Sequence, residues 1–183
     1  DIEGKKRILA DLRAQLGKYL DDSVEKQKLL EKISEMELTF ANQIHEGIRT
    51  GYEYSYNAQD PVTVLRNKTI NCVSATILGG AFLEELDIRY LVGSIPEHSL
   101  LFMITANNKL YWTDMLNKQS IFELTPQMIG GKKSNGKPIR IADIVRYESS
   151  GNREGFTFSL LPPIRGSNNE RSDYFSILYG ESV

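Results

Sequence analysis

The sequence has few of the residues by which several broad classes of protein are recognised. It holds one cysteine, two histidines and one tryptophan. A single cysteine excludes a disulfide within the chain, which fits a reducing compartment and slightly favours the cytoplasm. No apolar run approaches the roughly 18 residues that a membrane-spanning helix requires, so we expect no membrane span.

Neither sign of charge dominates the sequence. Its 22 basic and 24 acidic residues give a net charge of −2, and no basic cluster stands out. We therefore expect neither nucleic acid nor an anionic membrane as a partner. The sequence also lacks the spacing of metal ligands, a calcium-type acidic loop and a glycine-rich phosphate loop. We expect no metal and no cofactor.

The length of the chain suits one domain with a sizeable core and an appendage, since 40% of its 183 residues are hydrophobic. The chain begins at Asp1 and not at a methionine. Whether a signal peptide, a pro-segment or a further domain precedes Asp1 is therefore left open.

Residues 1–57 carry two helical patterns. An amphipathic helix over residues 1–20 is predicted from the four-residue stripe Ile8, Leu12, Leu16 and Leu20. Asp21, Asp22 and Ser23 predict a helix cap, after which apolar residues continue in three- and four-residue steps to about Arg49: Leu29, Leu30, Ile33, Met36, Phe40, Ile44 and Ile48. We expect a helical hairpin packed on the core, the alternative being an arm that contacts a partner or the protein's own site. His45 is interpreted as a surface helix residue without a catalytic role.

The most distinctive stretch for chemistry begins at Asn71 and Cys72. Asn71 is a preferred helix cap, and the small and apolar residues that follow predict a buried helix that begins at Cys72. The N–H groups and the dipole of a helix N-terminus favour the thiolate, the form of cysteine that attacks an acyl carbon. Gly79 and Gly80 would each cost about 1 kcal/mol in mid-helix, so they predict a face of close packing.

A hairpin is predicted after this helix. IRYLVG is read as a strand, SIPE as a turn, and His98 opens the apolar central strand SLLFMIT, which ANNK joins to the returning strand LYWTDM. Side chains alternate along strands, so His98 and Asp114 share a face only if the loop between the two strands has an odd length. A three-residue loop from Ala106 to Asn108, with a positive φ at Asn108, places Asp114 opposite Leu100 and beside His98. We therefore predict that loop.

This order of cysteine, histidine and aspartate resembles the transglutaminase-like superfamily, in which a cysteine begins a buried helix and the histidine and aspartate lie on the two strands of the next hairpin. The lead-in DPVTVLRNKTINC and the stretch NCVSATILGGAFLEELDIRYLVG are similar to that family, and PEH is similar to a bacterial branch of it. The resemblance covers about residues 60–115. The chain departs from the family pattern at Asn71, Ser99-Leu100 and Met115, where the family commonly has glycine, an aromatic residue and proline.

The resemblance implies an α+β fold with a papain-like core over residues 58–183, in which the cysteine helix packs on an antiparallel sheet, preceded by the helical extension of residues 1–57. It implies Cys72 as the nucleophile, His98 as general base and acid, and Asp114 as the residue that orients His98. The chemistry of a base-activated thiol leads to the same roles.

The implied activity is acyl chemistry on a peptide or protein amide through a thioester on Cys72. Resolution by water would make the protein a peptidase or amidase, and resolution by an amine would make it a transferase. Two alternatives stay open: acyl transfer like that of arylamine N-acetyltransferases, and an inactive relative that serves as a binding module.

A tetrahedral intermediate also requires donors for its oxyanion. The backbone N–H of Cys72 is one candidate, and Asn67, Asn71 or Tyr56 are candidates for the second or for substrate binding. An exposed loop asparagine is the more ordinary interpretation of Asn67, and packing on the core is the favoured role of Tyr52, Tyr54 and Tyr56.

The C-terminal third is expected to add strands to the sheet of the hairpin. Residues 120–124, FTFSLLPP and DYFSILYG read as strands, and Thr125-Pro126 reads as the start of a helix. GGKKSNGKP and IRGSNNERS have the composition of loops.

Overall fold

A computed structural model describes residues 1–21, 23–58, 60–95, 98–118, 121–130, 137, 140 and 142, and the backbone of residues 156–160 and 174–178. The helices are α1 (Ile2–Leu16), α2 (Val24–Gly51), α3 (Pro61–Asn67) and α4 (Cys72–Glu85), and a 3-10 turn spans Pro126–Met128. The strands are β1 (Glu53–Tyr54), β2 (Thr69–Ile70), β3 (Arg89–Ile95), β4 (His98–Ile104), β5 (Leu110–Thr113), β6 (Phe122–Glu123), β7 (Ile129–Gly130), β8 (Phe156–Leu160) and β9 (Tyr174–Leu178). The fold class is α+β, as predicted.

Side-chain caps set where the first three helices begin. Asp1 accepts a hydrogen bond from the backbone N–H of Gly4, Ser23 from that of Lys26, and Asp60 from that of Thr63. Each cap satisfies an N–H group that has no carbonyl partner within its helix. The predicted cap at Ser23 is therefore confirmed.

A seven-stranded antiparallel sheet runs in the order β6-β5-β4-β3-β9-β8-β7, and a separate parallel pair joins β1 to β2. β4 lies between β3 and β5, and its residues from Ser99 onward are buried, which confirms the predicted central strand. β8 and β9 confirm that the C-terminal third extends the sheet of the hairpin. β3 continues to Ile95, so the predicted turn begins two residues too early. The loops predicted at GGKKSNGKP and IRGSNNERS fall largely outside the described residues.

The register of the β4–β5 hairpin is the one that the odd loop requires. Leu101 pairs with Thr113 and Ile104 with Leu110. The N–H of Thr105 donates to the carbonyl of Lys109 at 3.0 Å, and Asn108 has a φ of 60°. The predicted loop of three residues and its positive φ at Asn108 are confirmed.

One hydrophobic cluster joins both N-terminal helices to α4 and to the face of β4 that carries Leu101 and Met103. α4 comes close to that face because it has glycine there. A Cβ on Gly79 would lie 2.8 Å from Cε of Met115, and one on Gly80 would lie 2.6 Å from the ring of Tyr90. The predicted face of close packing is confirmed.

The buried stripe of α1 differs from the predicted one. Leu9 and Leu12 are buried, whereas Ile8 is 44% exposed and Leu20, beyond the end of the helix, is 84% exposed. A strict four-residue spacing turns by about 40° per step around a 3.6-residue helix, so a stripe of four such residues cannot keep to one side. The second stripe was predicted correctly, with Ile33, Phe40 and Ile48 buried.

Candidate active site

Cys72 is the first residue of α4, where a reciprocal cap holds the helix end. The Asn71 side chain accepts from the backbone N–H of Ser74 at 2.9 Å, and the Ser74 hydroxyl accepts from the backbone N–H of Asn71 at 3.0 Å. Asn71 and Ser74 are buried, and Cys72 is half-buried. The predicted cap and helix start are confirmed, and the thiol is placed on a rigid element.

His98 and Asp114 form a hydrogen-bonded pair on the β4–β5 hairpin. Nε2 of His98 lies 3.0 Å from Oδ2 of Asp114. The side chain of His98 is 31% exposed and that of Asp114 is 22% exposed. A carboxylate only accepts, so Nε2 carries the proton and donates, which leaves Nδ1 as the basic nitrogen of the neutral ring. The pair is therefore oriented and still accessible.

The environment of Asp114 favours its ionised form. Burial alone would raise the pKa of Asp114, but the hydrogen bond from His98, a second one from the backbone N–H of Leu116 and the electrostatic interaction with the His98 and His45 side chains together outweigh burial and lower the pKa. The Leu116 N–H lies 3.0 Å from Oδ1. Asp114 is accordingly an acceptor for His98 at neutral pH.

The interpretation of His45 as a surface residue is wrong. Its side chain is only 4% exposed, and Nε2 lies 3.2 Å from the backbone carbonyl oxygen of Asp114. The physical reason is the position of His45 on the side of α2 that faces the hairpin, four residues after the buried Ala41 and three before the buried Ile48. Both histidines of the chain therefore contact Asp114, a relationship that their sequence separation hides.

The candidate substrate-binding residues fall in three different settings. Asn67 ends α3 and is exposed, in agreement with the more ordinary interpretation. The Asn71 amide lies beneath the surface and donates from Nδ2 to the carbonyl of Tyr56 at 3.2 Å. Tyr56 and Tyr54 are 77% and 66% exposed, so the favoured packing on the core is wrong for these two, whereas Tyr52 is partly buried and packs against the core as predicted. Tyr56 thus joins the cap of the cysteine helix through its backbone and presents its ring to solvent.

The direction of α4 brings Cys72 to the end of the sheet where β4 begins. After α4 ends, the chain enters β3 at Arg89, opposite Ile104 at the far end of β4. Gly79 lies over Leu101 in mid-strand. Cys72 lies seven residues before Gly79, a distance of about 10.5 Å or two turns of helix. His98 lies three residues before Leu101, a distance of about 10 Å along the strand. Cys72 and His98 are therefore at about the same level along the sheet.

Within the described ranges, no three side chains of histidine, cysteine, aspartate or glutamate are grouped so as to hold a metal ion. In the same part of the chain, no helix has both the length and the apolar character to cross a membrane. Comparison with protein-family models, with curated proteins and with solved structures found no match in any of the three.

Proposed function

We propose that the protein is a transglutaminase-like, papain-like enzyme that carries out acyl chemistry on a peptide or protein amide through a thioester on Cys72. The observation that supports this most is the 3.0 Å hydrogen bond between Nε2 of His98 and Oδ2 of Asp114, on the hairpin beside which the Cys72 helix is packed. An imidazole whose Nε2 is held by a carboxylate has Nδ1 available to take a proton from a thiol.

The partial exposure of the pair agrees with a catalytic role. The imidazole is 31% exposed and the carboxylate 22%, so both remain in reach of a substrate. Cys72 is half-buried at the start of a capped helix, a setting that favours the thiolate in cysteine enzymes.

The proposal makes a specific demand on geometry. Leu101 faces α4, so the alternation of side chains puts His98 and Asp114 on the other face of the hairpin. For the proposed reaction, the thiol must therefore meet the imidazole around the first residue of β4, at the end of the sheet. His98 is that first residue, and Asp114 follows the last residue of β5.

The reaction follows from these positions. Nδ1 of His98 takes the thiol proton, and the sulfur of Cys72 bonds to the carbonyl carbon of the amide. The carbon–nitrogen bond then breaks, and His98 returns the proton to the leaving amine or ammonia. Water or a second amine then attacks the thioester and loses its proton to His98, the carbon–sulfur bond breaks, and the departing sulfur takes that proton to restore the thiol. Asp114 holds the ring in the Nε2–H form throughout.

Trapping of the acyl-enzyme tests this function. The protein is mixed with a peptide that carries a glutamine side chain, with and without a fluorescent primary alkylamine, quenched in acid and measured by intact mass spectrometry. We expect an acyl adduct on Cys72 that is absent from Cys72→Ala. Free acid as the product identifies hydrolysis, and the fluorescent amide identifies transfer.

A parallel sample with an acyl-thioester donor distinguishes acyl transfer of the arylamine N-acetyltransferase type from chemistry on an amide. That type of enzyme would form an adduct with the thioester donor and not with the glutamine peptide. If neither donor acylates a thiol that small alkylating reagents modify readily, the proposed acyl chemistry is contradicted. A ligand that binds Cys72→Ala as well as the native chain would then support a binding module.

A further inference from the structure

Three buried polar residues of α2 contact the β4–β5 hairpin, and their contacts lie at both ends of β5. Ser34 accepts from the backbone N–H of Asn107 at 3.0 Å, and Glu37 accepts from that of Ala106 at 2.7 Å. At the other end of β5, His45 reaches the carbonyl of Asp114 at 3.2 Å. α2 therefore holds the strand from the loop before it to the aspartate after it.

The His45 contact has a defined direction. A carbonyl oxygen only accepts, so Nε2 of His45 must carry a proton and donate it. Asp114 thus receives four hydrogen bonds: from His45 and from the Asn117 N–H on its carbonyl, from His98 on Oδ2, and from the Leu116 N–H on Oδ1. The first two hold the backbone of Asp114, one from α2 and one from the turn that follows β5, and the other two aim the carboxylate.

We propose that His45 is a positioning residue of the active site: by holding the Asp114 backbone it keeps the carboxylate in the place where it orients His98. This inference rests on the proposed function for its role in catalysis, but the pairing that it controls can be measured without a substrate. It also assigns a function to α2, which carries part of the support of the site and is more than an appended helix.

The experiment compares His45→Gln with His45→Asn. Glutamine places an amide N–H near the position of Nε2, whereas asparagine is one methylene shorter and cannot reach the carbonyl of Asp114. The chain has two histidines, so each variant leaves one imidazole, that of His98. Nitrogen-15 NMR at about pH 8, above the range in which histidine ordinarily titrates, reports which ring nitrogen of His98 carries the proton.

We expect His45→Gln to keep the Nε2–H form of His98 and to keep the rate of Cys72 alkylation within about twofold of the wild type. Circular dichroism checks that His45→Asn is folded. In this variant we expect His98 to lose its preference for the Nε2–H form and Cys72 to be alkylated at least about tenfold more slowly, because the base is no longer oriented. If His45→Asn does not fold, comparison of His45→Gln with His45→Met, which fills the site without a donor, decides the question.

A folded donor-less variant that keeps both the Nε2–H form and the alkylation rate would overturn the inference. Failure of the proposed function looks different: Cys72 of the wild type would be unreactive or indifferent to His98, while the ring-proton measurement would still respond to His45.

Discussion

Nε2 of His98 lies 3.0 Å from Oδ2 of Asp114, although 16 residues separate the two in sequence. The hairpin register creates this pair, because an odd loop brings both side chains to one face. The pair would be an ordinary feature of a sheet if it lay elsewhere. Its place on the hairpin against which the capped cysteine helix packs is the reason for the proposed chemistry.

Asp114→Asn should reduce stability in a pH-dependent way. The folded pKa of Asp114 is lowered, so its contribution is present above the ordinary value of 3.8 and is lost as the pH falls through the folded pKa. We expect a loss of about 1.5–3 kcal/mol in the free energy of unfolding at neutral pH, the scale of a hydrogen bond to a charged group. Urea unfolding across the acid range measures it, with the exposed Asp11→Asn as control. A loss that stays constant into strong acid would contradict the prediction.

His98→Cys should form a disulfide with Cys72. A disulfide needs Cα atoms within about 7 Å, and the proposed transfer of a proton from Cys72 to His98 requires a similarly close approach of the two residues. Mild oxidation at low protein concentration, followed by mass mapping of unreduced peptides, detects the bond. Lys109→Cys, at the other end of the hairpin, is the control and should give no such bond. Absence of the bond in His98→Cys would mean that the thiol and the imidazole are too far apart for the proposed reaction.

Glycine-to-alanine substitutions should separate packing from helix propensity. Alanine gains about 1 kcal/mol in a helix interior, and Gly47→Ala in α2 meets no atom within 4 Å, so it should raise the melting temperature. Gly80→Ala meets the ring of Tyr90 and should lose about 1–3 kcal/mol. Gly79→Ala meets the flexible end of Met115, so its effect should fall between the two. Stabilisation by Gly80→Ala would show that α4 is not held close to β3.

Glu37→Leu should be strongly destabilising. Glu37 is almost fully buried, where burial raises its pKa even though Arg13 donates to it at 2.9 Å and the Ala106 N–H at 2.7 Å. Removing the carboxylate leaves both donors in place, at a cost of about 3 kcal/mol in chemical unfolding. Glu37→Gln keeps an acceptor for Ala106 and should lose less. Glu35→Leu, on the exposed side of the same helix, is the matched control, and an equal loss there would contradict the role given to Glu37.

The features that could be predicted from the sequence are those set by local rules. The cap at Asn71, the helix start at Cys72 and the loop ending at Asn108 depend on the chemistry of neighbouring residues and on the parity of a strand. The pairing of His98 with Asp114 then follows from the alternation of side chains. These rules need no knowledge of what packs on the hairpin.

The contributions of α2 were missed because burial of a polar residue depends on a distant partner. Nothing near Glu37 or His45 in sequence reveals Arg13 or the Asp114 carbonyl. A signal existed in the spacing: Ser34, Glu37, Ala41, His45 and Ile48 follow three- and four-residue steps and define a second buried stripe beside the apolar one. Polar residues at such positions indicate contacts with another element. For Tyr54 and Tyr56, no local pattern distinguishes a buried ring from an exposed one.

The most direct test of the account is the rate at which iodoacetamide modifies Cys72 across the pH range, followed by mass spectrometry. The native chain is compared with His98→Ala and with the denatured chain. The account predicts that native Cys72 reacts well below the pH at which the denatured thiol does, by about tenfold or more at mildly acidic pH, and that His98→Ala loses this advantage. A native profile that matches the denatured one, or that His98→Ala leaves unchanged, would contradict an activated thiol–imidazole pair.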